Sequence, residues 1–205
     1  KILLMDEPLS NLDAKLRTEM RASLKRLHRD LNATTVYVTH DQIEALTLSD
    51  RVIIMNEGRI MQEGSPYDIY HHPANIFVAE FIGDPGINLF DGKIDNGVIK
   101  CGEIHIPLPN NFTKNKGSLI VGVRPEKIEV SETKKNGWQE VTTGIIQPTG
   151  ANTIIEVKAG ETPITLLQNG FITLPENSKL WINFELDTLS FFDHETQENL
   201  RNSAG

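Results

Sequence analysis

The chain opens with a short uninterrupted apolar run, residues 2–5, followed by two carboxylates and a proline. The run is too short for a helix and does not alternate, so it predicts a strand buried on both faces, as in a parallel sheet covered by helices. Functional residues of parallel sheets lie at the carboxyl ends of the strands. Here that end carries Asp6 and Glu7, and Pro8 ends the strand. Acidic residues also follow strands as turn formers or helix caps, and this run alone leaves both interpretations open.

Apolar residues recur at steps of three and four between Asp13 and Leu31, which predicts one amphipathic helix with Asp13 as its N-cap. The opposite face of this helix is basic, and we expect it to be a solvated surface. The basic residues of that face are Lys15, Arg17, Arg21, Lys25, Arg26 and Arg29.

The remainder of the first half alternates between strand and helix patterns. We predict a strand at 34–39, a helix at 42–48, a hairpin at 51–63, a helix that begins at Pro66, and a last short helix at 75–82. Asp41 and Ser65 are placed to cap two of these helices, and Gly58 can take the positive φ of the hairpin turn.

Two glycines and a proline within 83–86 mark the clearest break in the chain. Beyond it, many short β-type runs are separated by glycine, asparagine and proline, and no helix of convincing length is predicted. This pattern is typical of one or two small barrels, which close to hide their strand edges. We therefore predict two domains, an α/β domain at residues 1–84 and an all-β domain at residues 85–205.

Composition narrows the class of protein. The 205 residues are 39% hydrophobic and 23% charged, as in globular domains, and the net charge of -8 argues against a general nucleic-acid binder. A lone cysteine, Cys101, excludes an internal disulfide framework, and no apolar run approaches the roughly 20 residues that span a bilayer. The adjacent pair His71 and His72 has no acidic or cysteine ligand at a matching spacing, so we predict no metal site there.

Two motifs in the first half resemble those of a known family. The residues DEPLSNLD at 6–13 and VTHD at 38–41 resemble the second half of an ABC-transporter ATPase domain, with its Walker B strand, D-loop and switch histidine. In the second half, residues 121–126 and 191–196 resemble the C-terminal OB-type regulatory region of the maltose-type importer ATPases. The resemblance covers essentially the whole chain and implies the α/β C-terminal part of a P-loop NTPase ABC ATPase domain, followed by an all-β OB-like (TOBE-type) regulatory domain.

The resemblance also implies roles for individual residues. Asp6 would hold Mg²⁺ through water, Glu7 would be the catalytic base, and His40 would donate to the γ-phosphate of ATP. The D-loop, which couples one ATPase subunit to the other, would consist of Ser10, Asn11, Leu12 and Asp13. The motif of the regulatory region is Arg124, Pro125 and Glu126, which could instead be structural, because proline forces the preceding arginine into an extended conformation and the two charges can pair.

The spacing of the motifs supports one site. His40 follows Glu7 by 33 positions, enough for a helix and a return strand to bring two parallel strand ends together. The sequence nevertheless contains no G-x-x-x-x-G-K-[ST] loop, and the family's Q-loop and LSGGQ-type signature are missing too. Because the chain also begins within a predicted strand at Lys1, we expect it to be a piece of a longer ATPase and to be inactive alone.

The resemblance implies a carbohydrate-importing ATPase that uses ATP and Mg²⁺ on the cytoplasmic face of the cell membrane. Its partners would be a second ATPase subunit, transmembrane permease subunits and a regulatory protein bound to the C-terminal domain, with no nucleic acid. Three alternatives stay open: a regulatory and dimerisation module, an importer ATPase for polyamines or glycerol-phosphate, and an ABC-type ATPase of DNA repair or chromosome architecture. Residues 121–126 and the absence of coiled-coil heptads argue against the last of these.

Overall fold

In the computed structural model, which describes residues 2–31, 33–109, 112 and 117–200, the chain forms two compact units that divide between Tyr70 and His71. The elements of the first unit are β1 (Ile2–Asp6), α1 (Ala14–Leu31), β2 (Thr34–Val38), α2 (Gln42–Leu48), β3 (Val52–Asn56), β4 (Arg59–Gly64) and α3 (Pro66–His71). Strands β1 and β2 pair in parallel, whereas β3 and β4 form an antiparallel hairpin. The fold therefore joins the predicted strand ends of β1 and β2 at one edge.

The prediction that the first strand is buried on both faces is wrong for this structure. Ile2 and Leu4 are 73% and 74% exposed, and Val36 and Val38 of β2 are about half exposed. Side chains alternate between the two faces of a strand, so these residues share one open face of the β1–β2 sheet. An apolar run shows that both faces can be buried, but only the packing of another element decides whether they are.

Among its described residues, the second unit is all-β apart from one short helix and two turns of 3₁₀ helix. Its elements are α4 (Ile76–Phe81), β5 (Asn88–Asp95), β6 (Val98–Cys101), β7 (Ile104–Pro107), β8 (Gly117–Val123), η1 (Pro125–Lys127), β9 (Ile128–Ser131), β10 (Gln139–Pro148), β11 (Asn152–Ala159), β12 (Thr162–Asn169), β13 (Lys179–Phe184), η2 (Leu186–Thr188) and β14 (Ser190–Asp193). Two five-stranded sheets result, in the orders β12-β11-β10-β13-β9 and β14-β8-β5-β6-β7. One buried cluster takes side chains from both sheets, including Phe90, Val121, Ile155, Leu180 and Phe191. The short β-type runs therefore fold as predicted, into an all-β unit.

The glycine-rich turn at 83–86 lies inside the second unit rather than at its boundary. The reason is the attachment of α4. The Arg124 guanidinium, which is 6% exposed, donates to the carbonyl of Ala79 at 3.0 Å and to that of Ile82 at the C-terminal end of the helix. A cation at this position also favours the negative end of the helix dipole. Arg124 thus has a structural role, in which it fastens α4 to the end of β8.

Asn88 joins the two sheets of the second unit. Its amide nitrogen donates to the carbonyl of Thr165 at 2.8 Å and to that of Val123 at 3.2 Å, and its oxygen accepts from the amide of Thr165 at 2.7 Å. Asn88 and Val123 belong to one sheet and Thr165 to the other, so a single side chain provides polar contacts across the interface between the sheets.

We expect Asn88→Ala to lower the free energy of unfolding of the second unit by about 2–3 kcal/mol, because one buried and two partly buried backbone groups lose their partner. Urea titration followed by tryptophan fluorescence measures this, since Trp138 and Trp181 both lie in the second unit. Asn183→Ala is the control, because it also replaces an asparagine but removes only an exposed hydrogen bond. It should change the free energy of unfolding by less than about 0.5 kcal/mol. Equal effects of the two variants would contradict the bridging role.

Candidate functional site

The structure brings Glu7 and His40 together at the carboxyl ends of β1 and β2. The backbone amide of Glu7 donates to the carbonyl of Val38 at 2.8 Å, which extends the parallel pairing beyond the strand. The His40 imidazole donates from Nδ1 to Glu7 Oε1 at 3.0 Å. Both side chains stay accessible, Glu7 at 45% and His40 at 72% exposure. An accessible carboxylate and imidazole in direct contact are groups of the kind that general acid–base catalysis uses.

The backbone of Glu7 takes an unusual conformation. Its φ is 43°, in the left-handed region that residues with a side chain seldom occupy. The turn is held by Ser10, whose hydroxyl and amide donate to the Glu7 carbonyl at 3.0 Å and 3.2 Å. Strained residues of this kind concentrate at functional sites, because surrounding contacts must maintain them.

Asp6 ends β1, opposite Val38 of β2, with an exposed side chain. Mg²⁺ keeps several waters and usually takes one or two protein carboxylates together with substrate phosphates. Within the described residues no group of three or more histidine, cysteine, aspartate or glutamate side chains could hold a metal. The exposed carboxylate of Asp6 is an oxygen donor of the kind that Mg²⁺ takes.

Residues 10–13 form the turn between the site and α1. The segment is anchored by Leu9, which is 2% exposed and whose carbonyl accepts from the Leu12 amide at 3.2 Å. Asn11 is exposed on this turn. Asp13 caps α1 as predicted, because its Oδ1 accepts from the amides of Lys15 and Leu16 at 3.0 Å each. Within this turn Ser10 thus contacts Glu7, and Asp13 contacts the first turn of α1.

The prediction of a solvated basic face on α1 is wrong for Arg17 and Arg21, which are 31% and 18% exposed, whereas Lys25 is exposed although it has a hydrogen-bond partner. Arg21 donates to Asp41 Oδ2 at 2.9 Å, Arg17 donates to the same oxygen at 3.4 Å, and Lys25 donates to the Thr47 carbonyl at 2.6 Å. Residues four apart share one face of a helix, so this face docks on the segment that begins at Asp41. The spacing of Arg17 and Arg21 can be read from the sequence. That both would pair with Asp41, 20 positions beyond Arg21, cannot.

Glu44 lies at the centre of this contact and is 3% exposed. Its Oε2 accepts from the hydroxyls of Tyr37 and Thr39 at 2.9 Å and 2.8 Å, and its Oε1 lies 4.0 Å from Arg21. Burial and the Glu44 carboxylate raise the pKa of the Tyr37 phenol, which therefore stays a proton donor. Sequence analysis had singled out neither residue, because their partners lie on three different elements.

Asp41 caps α2, accepting from the amides of Ile43 and Glu44 at 2.8 Å and 3.2 Å. Burial acts to raise the pKa of Asp41, but these amide hydrogen bonds and the charges of Arg21 and Arg17 outweigh it and lower the pKa overall. The carboxylate that directly follows His40 is therefore held ionised and fixed in place.

The pKa of His40 lies above its ordinary value of 6.5, first because of the hydrogen bond to Glu7 and then because of the charge of that carboxylate. An imidazole whose pKa is raised by a partner is charged and paired below that pKa, and the ion pair is lost as pH rises through it. The charged Glu7–His40 pair is thus present at pH values below the raised pKa of His40 and is lost as the pH rises through that pKa.

We expect an NMR titration of His40 to give a pKa above 6.5, and Glu7→Gln to lower it, because the neutral amide removes both the charge and the strongest acceptor. Glu19→Gln, an exposed change on α1, should leave the titration of His40 unaltered. An unchanged pKa in Glu7→Gln would show that the pair does not form in solution.

The motif 124–126 lies in the second unit. Pro125 is buried at the start of η1, and Glu126 lines an open cavity of about 260 Å³. The cavity is bounded by η1, β9, β11, β12 and the end of β13, and two more carboxylates, Glu129 and Glu185, face it. Arg124 contributes to the fold as described above, and Glu126 is the exposed member of the motif.

Comparison with known proteins bears on both units. Residues 88–130 match the family model described as the CysA C-terminal regulatory domain. The chain is 41% identical to the uncharacterized ABC transporter ATP-binding protein YurJ of Bacillus subtilis, with 97% of this chain and 58% of that protein covered. It is 39% identical to the oligosaccharides import ATP-binding protein MsmX of the same organism, with 98% and 58% covered. It is 38% identical to the sn-glycerol-3-phosphate import ATP-binding protein UgpC of Psychromonas ingrahamii, with 98% and 55% covered. The chain thus spans between half and two thirds of each of these relatives.

Proposed function

Because this chain is a homologue of ABC importer ATP-binding proteins over nearly its whole length, we propose that the protein containing it hydrolyses ATP to drive solute import. The observation that carries the proposal is the contact of 3.0 Å between Glu7 and His40 at adjacent parallel strand ends. Ligands of α/β sheets bind in the crevice outside such strand ends. A carbohydrate is the first candidate for the solute, and glycerol-phosphate or a polyamine is the alternative.

In this proposal each residue of the site has a distinct task. Glu7 orients and polarises the attacking water, and its contact with His40 fixes the position of the carboxylate. His40, whose ring is largely accessible, donates to the γ-phosphate. Asp6 would hold Mg²⁺ through water, and the ion would supply positive charge that offsets the charge of the phosphates.

Partners and location follow from the same proposal. Two copies of the ATPase subunit would meet across residues 10–13, and permease subunits would bind them at the cytoplasmic face of the membrane. In the described part of the chain, no helix is both long and apolar enough to cross a membrane. A regulatory protein would bind the second unit, a role supported by the match of residues 88–130 to a regulatory domain.

The test is reconstitution of the complete ATP-binding protein with its permease subunits in vesicles. We expect ATP hydrolysis that is stimulated by the transported solute, with oligosaccharides, glycerol-3-phosphate and spermidine compared side by side. Stimulation by a sugar supports the first candidate, and stimulation by another solute supports the alternative. Absence of both nucleotide binding and hydrolysis in the complete protein would refute the ATPase and leave a regulatory and dimerisation module, which the regulatory-domain match favours as second candidate.

A further inference from the structure

Arg17 contacts two segments of the site with one guanidinium group. Its Nη2 donates to the carbonyl of Leu12 at 3.1 Å, and its Nη1 donates to Asp41 Oδ2 at 3.4 Å. Its side chain is 31% exposed, so both contacts are shielded from water in part. The planar fork of an arginine holds two acceptors in a fixed relation, which a lysine ammonium on a flexible stem cannot do.

Each of the two acceptors belongs to a segment that carries a residue of the candidate site. Leu12 lies in the turn that begins at Glu7, and Ser10 of that turn holds the Glu7 carbonyl. Asp41 directly follows His40 in the chain. The guanidinium of Arg17 therefore lies between the segment of the carboxylate and the segment of the imidazole.

The backbone on either side of His40 is rigidly connected to Asp41. The Thr39 hydroxyl donates to Glu44 at 2.8 Å, and the Asp41 amide donates to the Thr39 oxygen at 3.0 Å. Asp41 in turn accepts from two amides of the first turn of α2. A displacement of Asp41 is therefore transmitted to His40 rather than absorbed by a loose loop.

Arg21 offers a comparison within the same helix. Its Nη2 donates to Asp41 at 2.9 Å, closer than Arg17, and its Nε lies 4.0 Å from Glu44. Both of these contacts are with the segment that follows His40 in the chain. Arg17, one helical turn earlier, is the residue that also contacts Leu12. The position on α1, rather than the charge, thus distinguishes the two arginines.

We infer that Arg17 is a positioning residue for hydrolysis, which couples residues 10–13 to the turn at 39–41 and so holds His40 in place against Glu7. This inference rests on the proposed ATPase function. It also gives the turn at 10–13 a route to the chemistry: a partner that moves this turn moves the Leu12 carbonyl, and through Arg17 and Asp41 it moves His40.

The kinetic test uses the complete ATP-binding protein with Arg17→Gln and Arg17→Lys. We expect kcat to fall about tenfold or more in both variants, because small displacements of catalytic groups are costly, whereas KM for ATP should change less than about twofold. Arg29→Gln, an exposed change on the same helix, should keep wild-type kcat. Wild-type kcat in Arg17→Lys would overturn the inference, because charge alone would then suffice.

A second measurement is independent of hydrolysis. The amide resonance of Asp13 reports on the Leu12 carbonyl, since both belong to one peptide group. We expect Asp41→Asn to shift this resonance in the wild-type background and to leave it unchanged in the Arg17→Gln background. An equal shift in both backgrounds, or no shift in either, would overturn the coupling. Glu7→Gln, assayed in parallel, tests the ATPase assignment separately, so failure of the function and failure of the coupling are distinguishable.

Discussion

Replacing Glu7 by glutamine in the complete ATP-binding protein is expected to lower ATP turnover about 10²- to 10⁴-fold, the range for loss of a general base. The amide keeps the size of the side chain but cannot accept a proton from the attacking water. It also donates as readily as it accepts, so the contact with His40 at 3.0 Å would weaken. Nucleotide affinity should stay within about twofold, because Glu7 acts on the water and not on the bound phosphates.

The chain offers a closely matched control for this experiment. Glu57 is also an exposed glutamate with a left-handed backbone, at φ 47° compared with 43° for Glu7, but it lies in the β3–β4 hairpin turn. Glu57→Gln therefore reproduces the change in charge and backbone context away from the site, and it should retain wild-type turnover. Equal losses in the two variants, or unaltered turnover in Glu7→Gln, would remove Glu7 from the mechanism.

Replacing Arg124 by methionine is expected to lower the free energy of unfolding of the second unit by about 2–4 kcal/mol. Methionine preserves much of the apolar stem but leaves the carbonyls of Ala79 and Ile82 without their charged donor in a buried place. Hydrogen bonds to charged groups contribute about 1.5–3 kcal/mol each, and an orphaned buried acceptor adds the cost of its lost hydration.

Urea titration with tryptophan fluorescence measures this loss, as for Asn88. Lys127→Met is the matched control, because it removes a cation three positions later whose salt bridge with Glu185 is 3.7 Å long and partly exposed. Its expected effect is less than about 1 kcal/mol. A loss below that value in Arg124→Met would show that the guanidinium does not hold α4, and would reopen a partner-binding role for this residue.

Local signals in the sequence were sufficient for the elements and their caps. The steps of three and four in α1, the β-branched run of β2 and the glycine of the hairpin are short-range properties, as is each N-cap contact from Asp13 or Asp41. The proximity of His40 and Glu7 was also within reach, because parallel pairing brings successive strand ends to one edge. These inferences depend on interactions between residues close in the chain, or on the rule that parallel strands end at the same edge of a sheet.

Contacts between elements distant in the chain could not be predicted in the same way. A basic helix face looks the same in sequence whether it meets water or Asp41, and the choice depends on the crossing of α1 and α2. An arginine before a proline likewise does not show that it will reach the carbonyls of Ala79 and Ile82, more than 40 positions earlier. The exposed face of β1 belongs to this class too, because burial depends on what packs against a strand.

The sequence by itself thus indicated the class of chemistry, through a carboxylate pair at one strand end and a histidine at the next, and it indicated an all-β unit later in the chain. Residue type and spacing carry that information, because each function requires particular atoms at particular strand ends. Tertiary structure alone decided how these groups are held. Arg17 and Arg21 became part of the support of His40, and Arg124 became the anchor of α4, because a long cation takes its role from the acceptors that the fold places within its reach.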